Sequence, residues 1–77
     1  MGSIKDTFIK ANYQKIIDQY HLIQPFSSSN WEHNFYIGVS HFFLKQFKDS
    51  LEVLLGLDQI IENHEIKNYI AKNFQSL

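Results

Sequence analysis

The chain has no cysteine, so neither a disulfide nor a thiolate-bound zinc can supplement its core. Glycine occurs only at Gly2, Gly38 and Gly56, too sparsely for a phosphate-cradling loop. There is no excess of charge of one sign. Seven basic and eight acidic residues give a formal net charge of −1, which offers no footprint for nucleic acid or an anionic membrane surface. No apolar run approaches the roughly 18 residues of a membrane span, and no signal-peptide pattern opens the chain. A reducing, cytoplasmic setting is the expectation. What remains is 77 residues, 44% hydrophobic and 16% aromatic. That is too apolar for disorder and close to the smallest size at which one core suffices. Met1-Gly2-Ser3 reads as an expression-vector scar ahead of a single domain over 4–77, with a natural N-terminus that is longer.

The organising stretch is Asn34–Leu57, NFYIGVSHFFLKQFKDSLEVLLGL, two amphipathic helices joined by a tight turn near Lys45-Gln46. Asn34, Ile37, Gly38, His41, Ser50 and Leu54 sit on the tetratricopeptide helix–turn–helix spacing. Ile37, Gly38, Ser50 and Leu54 fit it, His41 is a weak aromatic substitute and Asn34 is a miss. Gly38 and Ser50 are small where two helix backbones cross closely. A glycine inside a helix costs about 1 kcal/mol relative to alanine, so Gly38 points to a packing reason.

Upstream, Ile4–Ala11 makes a short helix with Ile4, Phe8 and Ala11 inward, broken at Asn12. Tyr13–Ile23 then echoes the second helix of the hairpin. Tyr13 and Phe47, Ile17 and Leu51, Tyr20 and Leu54, Ile23 and Leu57, and Phe26 and Ile60 each stand 34 apart, with Asp18 and Glu52 in the same register. Bulky Ile16 in the place of Ser50 breaks the pattern. Pro25 stops this helix, and Ser27–Asn30 is a loop in which Ser29 or Asn30 caps the next. That helix, Trp31–Leu44, is apolar on two sides: Trp31, Phe35, Val39, Phe42 and Phe43 on one, Ile37 and Leu44 nearly opposite. Phe47–Ile61 follows, with Gly56 weakening its later half. Ile66, Tyr69, Ile70, Asn73, Phe74 and Leu77 give a last amphipathic helix, the first helix of an incomplete third repeat that serves as a cap. The expected fold is all-α, a tetratricopeptide-like stack of about five antiparallel helices.

Signals for catalysis are weak. Among His21, His33, His41 and His64 no pair has the i, i+4 spacing of a helical metal site. His64-Glu65 opens like a zincin motif, but Asn68 stands where the second histidine belongs. No histidine–acid pair is placed to activate the Ser27–Ser29 hydroxyls. The expectation is a protein that is not an enzyme and that uses no cofactor and no metal. The apolar surplus points instead to a concave groove lined by Phe8, Phe35, Val39, Phe42, Tyr69 and Asn73. Such a groove would accept an amphipathic helix from another chain, and left empty it is an aggregation hazard.

The order of features resembles the tetratricopeptide-like needle-subunit chaperone of bacterial type III secretion systems. The resemblance rests on Lys10-Ala11-Asn12-Tyr13, the loop before Trp31, the Phe35–Leu44 helix, Ser50-Leu51-Glu52 and His64–Ile70. It implies a cytosolic chaperone in a virulence and protein-transport apparatus. Together with a small helical co-chaperone, as a hetero-oligomer, it would hold the amphipathic helix of the needle subunit and prevent premature polymerisation. By the same resemblance Phe35, Val39, Phe42 and Tyr69 are the groove positions. The Phe35–Leu57 hairpin is also similar to the cytosolic domain of the organelle-fission adaptor. A fragment of a peptide-sensing regulator, or a generic tetratricopeptide-like scaffold, is the other alternative.

Overall fold

The computed structural model describes residues 2–77, and Met1 lies outside the described residues. Five helices follow in order: α1 (Ile4–Ile9), α2 (Tyr13–Gln19), α3 (Trp31–Phe43), α4 (Phe47–Asp58) and α5 (His64–Ser76). The described residues contain no strand, so the fold is an all-α stack. Ser3 belongs to it: its side chain accepts from the Asp6 amide and the Asp6 carboxylate returns to the Ser3 amide, a capping box for α1.

Two turns carry the repeat. After α1, Lys10 ends the helix and Ala11 takes a left-handed φ of 58°. After α3, Leu44 and Lys45 (φ 63°) do the same. In the first turn the amides of Ala11 and Asn12 donate to the carbonyls of Phe8 and Thr7. In the second, the amides of Lys45 and Gln46 donate to those of Phe42 and His41. Each is a Schellman closure, which satisfies the orphan carbonyls of a helix end. All of these positions differ by 34. The N-caps of α2 and α4, Asn12 and Gln46, share φ and ψ to within a few degrees. The 34-residue spacing is therefore carried by the backbone of the two turns, while the side chains at those positions differ. Ala11, expected on the inward face of α1, sits instead in the turn; Thr7 is the buried residue of that helix.

The spacing reading of Gly38 holds. A Cβ there would lie 3.0 Å from Val53 Cγ1 and 3.1 Å from Leu54 Cδ2, so α3 and α4 meet at this glycine. Phe35, Val39, Val53, Leu54, Leu57 and Ile66 form the core cluster. Ser50 is buried too, but its partner is α5: its Oγ accepts from Asn73 Nδ2 at 2.9 Å. Ile16, the bulky departure from the repeat, is fully buried in the equivalent place on α2. The α1–α2 hairpin thus fills with volume what α4 and α5 fill with a hydrogen bond. Ile37 is buried within the chain, and α3 packs against all four other helices. Its second apolar side needs no external cover.

The α2–α3 connection departs from the sequence reading. Helix α2 ends at Gln19, and Tyr20 is already extended (φ −121°, ψ 143°), whereas Leu54 lies within α4, so the 34-residue register stops short of Tyr20, Ile23 and Phe26. Asn34, the misfit of the motif, explains why. Fully buried in the first turn of α3, its Oδ1 accepts from the Ile23 amide at 2.8 Å and its Nδ2 donates to the Ile23 carbonyl at 3.0 Å. His33 Nε2 meets the His21 carbonyl at 2.8 Å. An extended segment is thereby fastened to α3 at alternate residues, as a strand would be. Asn30 occupies the N-cap of α3 but does not cap it. Its side-chain amide accepts from the Ser27 N–H and donates to the Pro25 carbonyl, closing the loop instead. The Gln24–Pro25 bond is cis. Phe26 then lies on α4 at Gly56, where a Cβ would come within 2.8 Å of its ring.

Candidate functional site

The face shared by α1, α3 and α5, with the start of α2, carries a continuous aromatic strip. Phe8 touches Tyr13 and Tyr36, with centroids 5.7 and 4.8 Å apart. Tyr13 stacks on Phe43 at 4.6 Å with planes 14° apart. Phe43, Phe42 and Phe35 each reach Tyr69 of α5 at 6.1, 5.5 and 6.1 Å. Trp31 meets Phe35 edge-on. Such pairs contribute about 0.5–1.5 kcal/mol each beyond burial, so the rings of the strip hold one another in place.

The strip brings together four of the six residues predicted to line a groove, at different depths. Phe8, Phe42 and Tyr69 are half-buried and belong to it. Phe35 is nearly covered and lies beneath. Val39 and Asn73 are both 0% exposed; they are core, and as groove residues they are corrected here. Val39 and Asn73 stand 34 apart, the one signal in the sequence that they share a buried repeat position. Asn73 holds Ser50 Oγ and the Tyr69 carbonyl through Nδ2, and its Oδ1 has no hydrogen-bond partner among the described residues. Phe42 packs on Phe47 of α4 as well as on Tyr69, so it ties helices together rather than standing free. The last helix differs likewise: Ile66 is fully buried, whereas Phe74 and Leu77, expected inward, are exposed.

The predicted groove set leaves out three exposed apolar residues of the equivalent helices. Ile9, Phe43 and Leu77 are 69%, 43% and 63% exposed, and each lies 34 residues from the next. They stand at the same place near the ends of the three equivalent helices. The repeat arithmetic that matched α2 to α4 would have found them if applied to α1, α3 and α5.

Burial raises the Tyr36 hydroxyl pKa above its usual value, with Glu32 and Glu65 adding to the shift. Tyr69 is raised in the same way by burial, then by Glu65 and Tyr13. In both, burial disfavours the charged phenolate, and the nearby carboxylate of Glu65 disfavours it further. Lys72 Nζ sits over the Tyr69 ring at 5.0 Å. His41 shares a 2.7 Å hydrogen bond with Gln46 across the α3–α4 turn, and His33 is taken up by the α2–α3 connection. Among the described residues no group of three or more His, Asp or Glu is placed to hold a metal, and no helix is long and apolar enough to cross a membrane. Comparisons with protein families, curated proteins and solved structures return no match.

Proposed function

We propose that this chain is a protein-binding module whose α1–α3–α5 face receives an amphipathic helix of another protein. Within that class we propose a bacterial cytoplasmic chaperone that holds the helix of a type III secretion needle subunit together with a small helical co-chaperone. The observation that supports the reading is the row Ile9, Phe43 and Leu77, three large apolar side chains left exposed at one repeat position beside the aromatic strip. Helix-in-groove recognition places apolar side chains at i, i+3, i+4 and i+7 against such a surface. Its rings already pack against one another, so little further ordering is needed to present them to a partner.

The test is co-purification of the tagged chain from its native cell, with Phe43→Asp as the probe. Phe43 is the right position because it is half exposed, whereas Phe42 is braced between α4 and α5. A needle-class subunit and a small helical companion at fixed stoichiometry are expected with the parent chain. In the variant, capture falls about 30-fold, the loss of an interface aromatic, while the helical circular dichroism is retained. A monodisperse monomer from the parent chain, with no companion, overturns the reading and leaves a small helical scaffold.

A further inference from the structure

The near-neutral total conceals a segregation of charge along the stack. Lys10 ends α1, Lys15 lies in the first turn of α2, Lys45 is in the α3–α4 turn and Lys48 is in the first turn of α4. These two turns lie together, since Tyr13 at the start of α2 stacks on Phe43 at the end of α3. Lys72, over Tyr69, extends the group onto α5. Asp49 is the carboxylate among them. Glu32, Asp58, Glu62 and Glu65 lie toward the other end, in the first turns of α3 and α5 and around the α4–α5 connection. Both short ion-pair contacts in the described residues involve Lys67, with Asp58 at 2.9 Å and Glu62 at 3.9 Å. Among the described residues the turn-end lysines are unpaired. Helix C-termini carry roughly half a negative charge each, less than these lysines supply.

Ile9 and Phe43 are the last residues of α1 and α3, so the exposed apolar row runs along the lysine end of the face. We infer that the segment docked here is an amphipathic helix of another protein whose apolar stripe is bordered by aspartate or glutamate, the carboxylates meeting Lys10, Lys45 and Lys72. The inference rests on the helix-binding reading above and adds the charge of the partner to it. Apolar contact with Ile9, Phe43 and Leu77 supplies affinity, and the lysine border supplies orientation and a faster encounter.

The test uses the full chain and two synthetic helical peptides of about five turns. They share one leucine and phenylalanine stripe, with its border positions all glutamate in one peptide and all lysine in the other. Binding is read by fluorescence anisotropy at low and high salt. The glutamate peptide binds about tenfold more tightly at low salt, three exposed pairs at their usual strength, and salt erases the difference. The triple variant Lys10→Glu, Lys45→Glu, Lys72→Glu reverses the preference, and Phe43→Asp abolishes binding of both. If that triple variant fails to fold, the salt dependence and the peptide pair decide the matter on the parent chain. Equal binding of both peptides, insensitive to salt, overturns the charge inference and leaves helix binding standing. Binding of neither peptide overturns both. A dimer in light scattering that Phe43→Asp dissolves makes a second copy the occupant and overturns the inference.

Discussion

Asn34→Leu isolates the clamp on the α2–α3 connection. Leucine fills a similar volume and is the larger, apolar residue that the tetratricopeptide spacing would accept, so hydrophobicity alone predicts a gain in stability. The geometry predicts a loss. Asn34 gives the Ile23 backbone both of its hydrogen bonds, at 2.8 and 3.0 Å, and a third, longer one at 3.3 Å joins it to Asn30 Oδ1. The segment is only part-buried, so water can partly replace a lost partner. Each of the two short bonds is then worth about 1 kcal/mol, and the variant loses about 2 kcal/mol in all. In a domain of this size that lowers Tm by about 8–16 °C. Urea denaturation followed by circular dichroism should show the midpoint fall with an unchanged slope. Native-state hydrogen exchange should show Ile23 protected in the parent chain and released in the variant. A variant as stable as the parent, or an Ile23 amide that exchanges freely in the parent, would refute the clamp.

Other outcomes follow from the turns, the helix crossing and the tyrosines. Ala11→Gly and Lys45→Gly relieve the same left-handed strain, at φ 58° and 63°. Each should stabilise by about 0.5–1 kcal/mol, net of the added freedom of the unfolded chain; unequal or opposite shifts in thermal melts would break the equivalence of the two turns. Gly38→Val drives a branched side chain into Val53 and Leu54, whose atoms already stand 3.0 and 3.1 Å from where its Cβ would lie. It should cost at least about 2 kcal/mol, measured by urea unfolding. Tyr36 and Tyr69 are raised in the folded state by burial first, and Lys67 by its bond to Asp58. Groups raised on folding hold more protons folded than unfolded, so their stabilisation is complete below the unfolded tyrosine pKa of about 10. It is lost as pH rises through the folded values. Unfolding monitored from pH 8 to 12 should show a flat region and then a decline; stability that rises above pH 10 would contradict the assignment.

Most of the fold was legible in the sequence because helices announce themselves by period and by punctuation. Asn12 and the polar run before Trp31 mark breaks, and the helices that follow begin at the next residue. What could not be read was any feature made by one side chain satisfying a distant backbone. Tyr20 and Ile23 are spaced as a helix would space them, but Asn34, eleven residues on from Ile23 in the chain, holds that segment extended. The site divides in the same way. Phe8, Phe42 and Tyr69, chosen by face and period, lie half-buried on the aromatic strip. Asn73 shares the face of Tyr69 by period and so reads as groove lining, but its bond to Ser50 Oγ across the α4–α5 interface puts it in the core. Periodicity reports which residues share a face. It is silent on how deep each one lies.

The fastening of His21 and Ile23 to α3 also has a mechanical meaning. Between two stacked hairpins a connection usually acts as a hinge, free to let one unit rock on the next. Here two anchor points on the same stretch, at His33 and Asn34, make it a brace, and a brace resists shear as well as bending. A load applied to α1 and α2 is delivered to the first turn of α3 rather than dissipated in the loop. The angle between the first hairpin and the rest is then held by side-chain hydrogen bonds to backbone as well as by helix packing.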